Sequence, residues 1–320
     1  MTLDPSLKPD VRAFLEAATS QPAGKTPTVT PTVAEVRHAA EALAARALPK
    51  DEVASVEEHW LESPLNHSLK LRIYRPQGNF DALPIVVFIH GGGWVRCSLD
   101  THDTICRALC QRTPCLVVSV DYRLAPEHPF PAGLEDAYRA SLWVEDNARA
   151  LGGDPSKIAI CGDSSGGNLA AVTAQKARDD GKPIFCFQLL VYPVTDYEFE
   201  TPSFKTFAEG YGLTTERMRW YWHLYASPED ARSAQSSPLQ GDVRNLPPTH
   251  IITAACDPLC DQAEAYGHKL REAGVAVTMK RYDGLIHGFW SMPGVYPSSW
   301  QGVEDSVKVL QQAFVGNGEF

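Results

Sequence analysis

The strongest chemical signal in the chain is Gly162-Asp163-Ser164-Ser165-Gly166-Gly167, set between the apolar stretch 157–161 and a helical run that starts at Asn168. Strand, sharp turn, helix is the setting in which a G-x-S-x-G turn forces its central serine into a strained backbone conformation. The residues two before and two after must then be nearly without side chains, and Gly162 and Gly166 meet that need. Ser164 would stand at the turn, beside a helix N-terminus that favours developing negative charge. Ser165 is the rival hydroxyl, but centring the turn on it would put Asp163 where a side chain clashes. A serine nucleophile needs a histidine base and a carboxylate to orient that base. His287 follows an apolar run in Tyr282-Asp283-Gly284-Leu285-Ile286-His287-Gly288-Phe289, and Asp257 follows another in Cys256-Asp257-Pro258-Leu259. Asp261 and Asp283 are rival carboxylates.

A second signal is His90-Gly91-Gly92-Gly93-Trp94, directly after the apolar run Pro84 to Ile89. Three consecutive glycines after a core strand cost backbone entropy and are explained by close approach of another group to bare N–H donors. An oxyanion hole combines such donors with the N–H of the residue after the nucleophile, here Ser165. A dinucleotide fingerprint fails at its third glycine, where Arg96 stands. His90 reads as a structural hydrogen-bonder.

These residues need a scaffold that gathers strand ends. From residue 55 the chain reads as strands 55–63 and 69–76, with Asn66 as a turn former, then the doubly buried run ending at Ile89. Helices 101–112, 132–151 and 165–179 then alternate with strands 115–121, 158–162 and 185–192, which argues a mostly parallel sheet with helices on both faces. The rhythm breaks over 195–247, a polar and aromatic stretch with one convincing helix near 214–226, read as an insertion over the sheet. Strand 249–255, helix 261–273, strand 275–282 and helix 302–315 complete the pattern. Upstream, Val11, Phe14, Leu15 and Ala18, then Val33, Val36, Ala40, Leu43 and Ala44, mark two amphipathic helices joined by the segment Thr26 to Thr32. Open α/β sheets bind ligands at the C-terminal ends of their strands, where Ser164, Asp257 and His287 all fall.

Composition narrows the alternatives. The chain has 320 residues and a formal charge of −10, which disfavours nucleic-acid and anionic-membrane partners. Its longest apolar run, 83–89, is far short of the roughly 20 residues that span a bilayer, and charges at Asp4, Lys8, Asp10, Arg12 and Glu16 leave no stretch for a secretory signal. The 8 cysteines lack metal-finger spacing, so they read as reduced thiols in a cytoplasmic protein, with no metal site. Cys106/Cys110 and Cys256/Cys260 read as buried small hydrophobes rather than redox pairs. A chymotrypsin-like protease is excluded because its triad runs His, Asp, Ser on short strands, whereas here serine comes first on alternating β/α elements.

With HGGGW at 90–94, Asp121-Tyr122-Arg123-Leu124-Ala125-Pro126-Glu127, GDSSGG at 162–167, Asp257-Pro258-Leu259 and His287-Gly288-Phe289 assembled, the chain resembles the hormone-sensitive-lipase family of α/β-hydrolases over roughly 55–316. The resemblance implies an α/β-hydrolase fold with a helical cap: 1–45 and 196–226 as cap, 46–195 and 227–320 as catalytic domain. It implies a cofactor-independent carboxylesterase for short- to medium-chain esters. Ser164, His287 and Asp257 would form the triad, and Gly92, Gly93 and Ser165 the oxyanion donors. Bacterial members most often carry alanine where Ser165 stands, although plant carboxylesterase-like members also show serine, and this departure bears on substrate rather than mechanism. Trp94, Phe207, Tyr211, Leu213, Met218 and Trp222 are candidates to line the substrate pocket, Met218 and Trp222 sharing a helix face. Dimers joined through an edge strand are also implied, with 276–282 as the candidate. An amide or carbamate hydrolase with the same triad, or a small-molecule receptor on the same scaffold, are the alternatives. The presence of both His287 and Asp257 favours an enzyme.

Overall fold

The computed structural model describes residues 3–20, 31–46, 50–62 and 67–316. Most of the expected linker Thr26 to Thr32, the turn former Asn66 and the extreme ends of the expected domains lie outside these. Strands β1 (Ser55–Leu61), β2 (Leu69–Arg75), β3 (Leu83–Ile89), β4 (Leu116–Asp121), β5 (Gly153–Asp163), β6 (Phe187–Val191), β7 (Thr249–Cys256) and β8 (Val277–Ile286) form one sheet in the order β1-β2-β4-β3-β5-β6-β7-β8. The β1–β2 and β2–β4 pairs are antiparallel and the rest parallel. This is the α/β-hydrolase architecture.

Side-chain alternation divides the sheet's contacts between two cores. In β3, Ile85, Val87 and Ile89 face one core and Val86 and Phe88 the other, so a continuous apolar run is what two buried faces require. On the first face lie α4 (Ala132–Asn147), α5 (Ser165–Asp179) and α9 (Cys260–Glu272). On the second lie α1 (Pro9–Ser20), α3 (Asp103–Arg112) and α10 (Trp300–Val315), through residues such as Val11, Ile105 and Leu310.

Most boundaries fall within about two residues of the sequence reading, and the largest differences are at α4, β5 and β8. Helix α4 stops at Asn147 rather than near 151, because the chain tightens into a turn that ends in left-handed Gly152 (φ 77°). Strand β5 begins at Gly153 rather than 158, since Gly153 pairs with Leu83 across a register shift. Strand β8 runs on to Ile286 rather than 282, because a bulge lets Ile286 pair with Cys256. The 195–247 segment holds α6 (Pro202–Thr206) and α8 (Pro228–Ala231) besides the anticipated α7 (Thr215–Tyr225). The two short helices are too brief to show periodicity, although both begin with proline after a capping Thr201 or Ser227. Helix α2 (Val33–Ala44) starts with a capping box in which Thr32 and Glu35 satisfy each other's backbone N–H groups.

Candidate active site

Register brings the chemistry together. Ile89 pairs with Gly162 across β3 and β5, so the glycine loop and the serine turn leave the sheet side by side. The Cys256–Ile286 pairing across β7 and β8 sets Asp257 next to His287 in the same way.

Ser164 has φ 55° and ψ −120°, a conformation that costs a non-glycine residue about 1–3 kcal/mol and persists only where its surroundings enforce it. They do so through its backbone: the Ser164 N–H donates to the Val191 carbonyl (2.8 Å), and its carbonyl accepts from Asn168 (3.0 Å) and Val194 (3.2 Å). A Cβ on Gly162 would strike the Gly166 carbonyl, and one on Gly166 the Ile89 carbonyl, so both positions are closed to any larger residue.

His287 Nε2 lies 2.9 Å from Ser164 Oγ, and its Nδ1 lies 2.7 Å from Asp257 Oδ2. The other oxygen of Asp257 accepts from the Leu259 N–H (2.9 Å). Asp257 is fully buried, while the His287 side chain keeps 12% exposure. A fully buried carboxylate favours Nδ1–H, which leaves the Nε2 lone pair aimed at the serine hydroxyl. The rival groups stand elsewhere. Ser165 is completely buried, Asp261 accepts from the Ser203 N–H at 2.8 Å on α6, and the exposed Asp283 faces Arg281 at 3.9 Å.

Across from the serine, Gly92 and Gly93 adopt φ 122° and 64°. Among the described residues their N–H groups have no protein acceptor, whereas the Gly91 N–H donates to Asp163 Oδ1 at 2.8 Å. A Cβ on Gly93 would fall within 2.5 Å of the Tyr221 ring. The sequence reading passed over Asp163, which sits in the variable position of the serine turn. Burial pushes its pKa up, but the neighbouring His102 and the Gly91 N–H outweigh that and hold the carboxyl below its ordinary value. His102 Nε2 lies 3.1 Å from the same oxygen. His90 stacks on Tyr122 (4.4 Å), whose hydroxyl donates to the His90 carbonyl (3.0 Å). Burial and the nearby His102 bring the His90 pKa down to about 3, so the ring is neutral. Tyr192 was also passed over; it has φ 34° and its ring centroid lies 4.6 Å from that of His287.

A cavity of about 560 Å³ opens beside His287. Its wall takes Val36, Ala40 and Leu43 from α2, Tyr221 from α7, and Met292 and Val295 from the segment after His287. Of the six expected pocket residues, Leu213 lines it. The others pack elsewhere: Trp94 stacks on Tyr225 (4.3 Å, 3° between planes) and touches Trp222 (4.6 Å). Met218 and Trp222 are buried in the first core, and Phe207 meets Tyr211 edge-on at 5.0 Å. Met218 and Trp222 do share a face of α7, but it points into protein rather than the cavity. The Tyr211 hydroxyl accepts from the Asp4 N–H (3.0 Å).

Residues 86–291 match the family model described as alpha/beta hydrolase fold. The chain belongs to the hormone-sensitive-lipase family of α/β-hydrolases. It is 42% identical over 250 residues to carboxylesterase NlhH of Mycobacterium tuberculosis, covering 77% of this chain and 78% of that protein. It is 37% identical over 317 residues to the ethyl acetate hydrolase of Pseudomonas putida, covering 96% and 99%. Among solved structures, an α/β-hydrolase from the metagenome of Lake Arreo superposes with a TM-score of 0.92 at 36% identity, covering 98% of this chain and all of that one. A thermostable esterase from Pseudomonas putida gives 0.91 at 35% identity, covering 98% and 99%.

Proposed function

We propose that this carboxylic-ester hydrolase cleaves short- to medium-chain acyl esters through an acyl-enzyme built on Ser164. The observation that carries the reading is the continuous contact from buried Asp257 through His287 to Ser164, at 2.7 and 2.9 Å. As the Ser164 oxygen attacks the ester carbonyl, His287 Nε2 takes its proton, and Asp257 stabilises the imidazolium that forms. Negative charge then develops on the carbonyl oxygen, where the N–H groups of Gly92, Gly93 and Ser165 would receive it. Removing one such donor typically costs about 10²–10³ in kcat. Collapse expels the alcohol, which takes the proton from His287. Water then repeats the sequence on the acyl-enzyme, with His287 again as base.

The modest cavity and the helices over it support small esters rather than long-chain lipid. We assign α1, α2 and the 196–226 segment to a cap and the remaining elements to the catalytic domain. Among the described residues no helix is long and apolar enough to cross a membrane. The cysteines are unpaired, which supports a reducing compartment such as the cytoplasm. Strand β8 is a free sheet edge, the surface we assign to pairing between two copies. The experiment is initial-rate hydrolysis of p-nitrophenyl esters from acetate to palmitate by wild type and by folded Ser164→Ala. Turnover should peak at short or medium chains and fall by several orders of magnitude in the variant. Activity that survives the substitution, or a maximum at palmitate, would reject the assignment.

A further inference from the structure

The cavity beside His287 is mostly apolar, yet Glu35, Arg96 and Arg217 also line it. Glu35 is already committed: its Oε2 accepts from the Thr32 N–H (2.7 Å) and hydroxyl (2.8 Å) at the start of α2. Arg217 lies over the Trp220 ring at 5.4 Å. Arg96 leaves the glycine loop, where its N–H donates to the Gly92 carbonyl (3.1 Å). Its Nε is buried without a partner. The Cys97 thiol and the Tyr221 hydroxyl act on its charge most strongly, and the Asp163 carboxylate acts on it more weakly, without forming an ion pair.

Acidic residues outnumber basic ones here, 39 to 29, and several arginines elsewhere find them, while Arg75, Arg139, Arg232 and Arg271 donate to backbone carbonyls instead. Arg72 meets Glu58 and Asp100, Arg112 meets Asp51, and Arg123 meets Asp136, all within 3.0 Å. Among the described residues, Arg96 and Arg217 pair with no carboxylate. A guanidinium carries five N–H donors in a planar fork that fits a carboxylate, and leaving such donors desolvated and unpaired is costly. Two guanidinium groups without an ion-pair partner, against the single carboxylate of Glu35 on the wall of a mostly apolar cavity next to the candidate base, fit a substrate that brings its own negative charge.

We propose that the cavity receives esters bearing a carboxylate, such as monoesters of short dicarboxylic acids, with the carboxylate held by Arg96 and assisted by Arg217. The inference rests on the Ser164 esterase reading and deepens it. The apolar lining would hold the methylene chain, and the guanidinium would select its charged end. A charge-assisted contact to a partly buried arginine corresponds to a preference of about 10- to 100-fold over an uncharged isostere.

The test compares kcat/KM for two matched pairs. Mono-p-nitrophenyl glutarate against p-nitrophenyl pentanoate places the charge on the acyl side. 3-Acetoxypropionate against propyl acetate, followed by pH-stat, places it on the alcohol side. In one pair the charged-to-uncharged ratio should be high in wild type. In Arg96→Gln that ratio should fall by about 10- to 100-fold, with a smaller fall in Arg217→Gln. Ratios in both pairs that do not move would overturn the proposal. So would an equal loss on charged and uncharged esters, which would make Arg96 a support of the glycine loop instead. Calorimetric binding of monoethyl glutarate and of ethyl pentanoate to Ser164→Ala reads the site without turnover or an Arg96 variant. Tighter binding of the charged ester there, with wild type inactive on every ester, would sink the esterase reading and keep the anion site. Equal binding would sink the site while leaving the esterase reading intact.

Discussion

Replacing Asp163 by asparagine isolates what the buried carboxylate does for the glycine loop. The side chain is only 3% exposed, and its Oδ1 accepts from the Gly91 N–H at 2.8 Å with His102 Nε2 at 3.1 Å. Asparagine keeps the shape and one acceptor oxygen but removes the charge. A hydrogen bond to a charged group contributes about 1.5–3 kcal/mol and a neutral one about 0.5–1.5, so the anchor weakens by about 1 kcal/mol, or roughly fivefold in the ratio of anchored to released loop. That loop presents Gly92 and Gly93, so kcat should fall about 5- to 10-fold while KM for an uncharged ester moves less than twofold. Asp163→Ala leaves the Gly91 N–H without an acceptor, and its loss should approach the roughly 10²-fold of a missing oxyanion donor. The assay is steady-state hydrolysis of p-nitrophenyl butyrate, together with inhibition by a phosphonate transition-state analogue whose affinity should fall in step with kcat/KM. Wild-type kcat and undiminished analogue affinity in Asp163→Asn would refute the claim that this carboxylate holds the loop.

Arg37 fastens α2 to the rest of the protein, donating to the carbonyls of Val95 (2.8 Å) and Ala125 (3.1 Å) and forking onto Glu127. Because α2 walls the cavity, Arg37→Ala should raise KM about 3- to 10-fold with a smaller change in kcat; an unaltered KM would separate α2 from substrate binding. His250 is buried, and that burial lowers its pKa from 6.5 to about 4. The unfolded chain therefore takes up the proton first as pH falls. The associated stability is complete above pH 6.5 and is lost toward about pH 4, at most about 3 kcal/mol. Denaturant unfolding at pH 7 and 4.5 should show this loss shrinking in His250→Gln, and an identical pH dependence would contradict the assignment. Met218→Ala should cost about 2–5 kcal/mol of stability without shifting the acyl-chain profile, since Met218 is in the core. A changed profile with little loss of stability would return it to the pocket.

The triad candidates were legible because each is announced by a local constraint: glycines flanking Ser164, Pro258 holding Asp257 out of helix, and a turn-rich stretch before His287. The sheet was legible for the same reason, since strands buried on both faces leave unbroken apolar runs. Pocket residues were not. Helical spacing identifies a shared face, as it did for Met218 and Trp222, but not whether that face meets protein or a cavity. The wall contributed by Val36 and Leu43 comes from a helix more than 100 residues before the serine. Asp163 and Arg96 carried no signal of their own, because their surroundings are set by a strand register and a loop path that only the folded chain defines.

The measurement that bears most directly on the central claim is the site of covalent modification. Wild type treated with diethyl p-nitrophenyl phosphate should lose activity as p-nitrophenolate is released, and peptide mass spectrometry should place a single diethylphosphoryl group per chain on the Ser164 oxygen. Ser164→Ala should take up none. A phosphoryl group on Ser165 or on another residue, or full esterase activity in a protein phosphorylated at Ser164, would contradict the account.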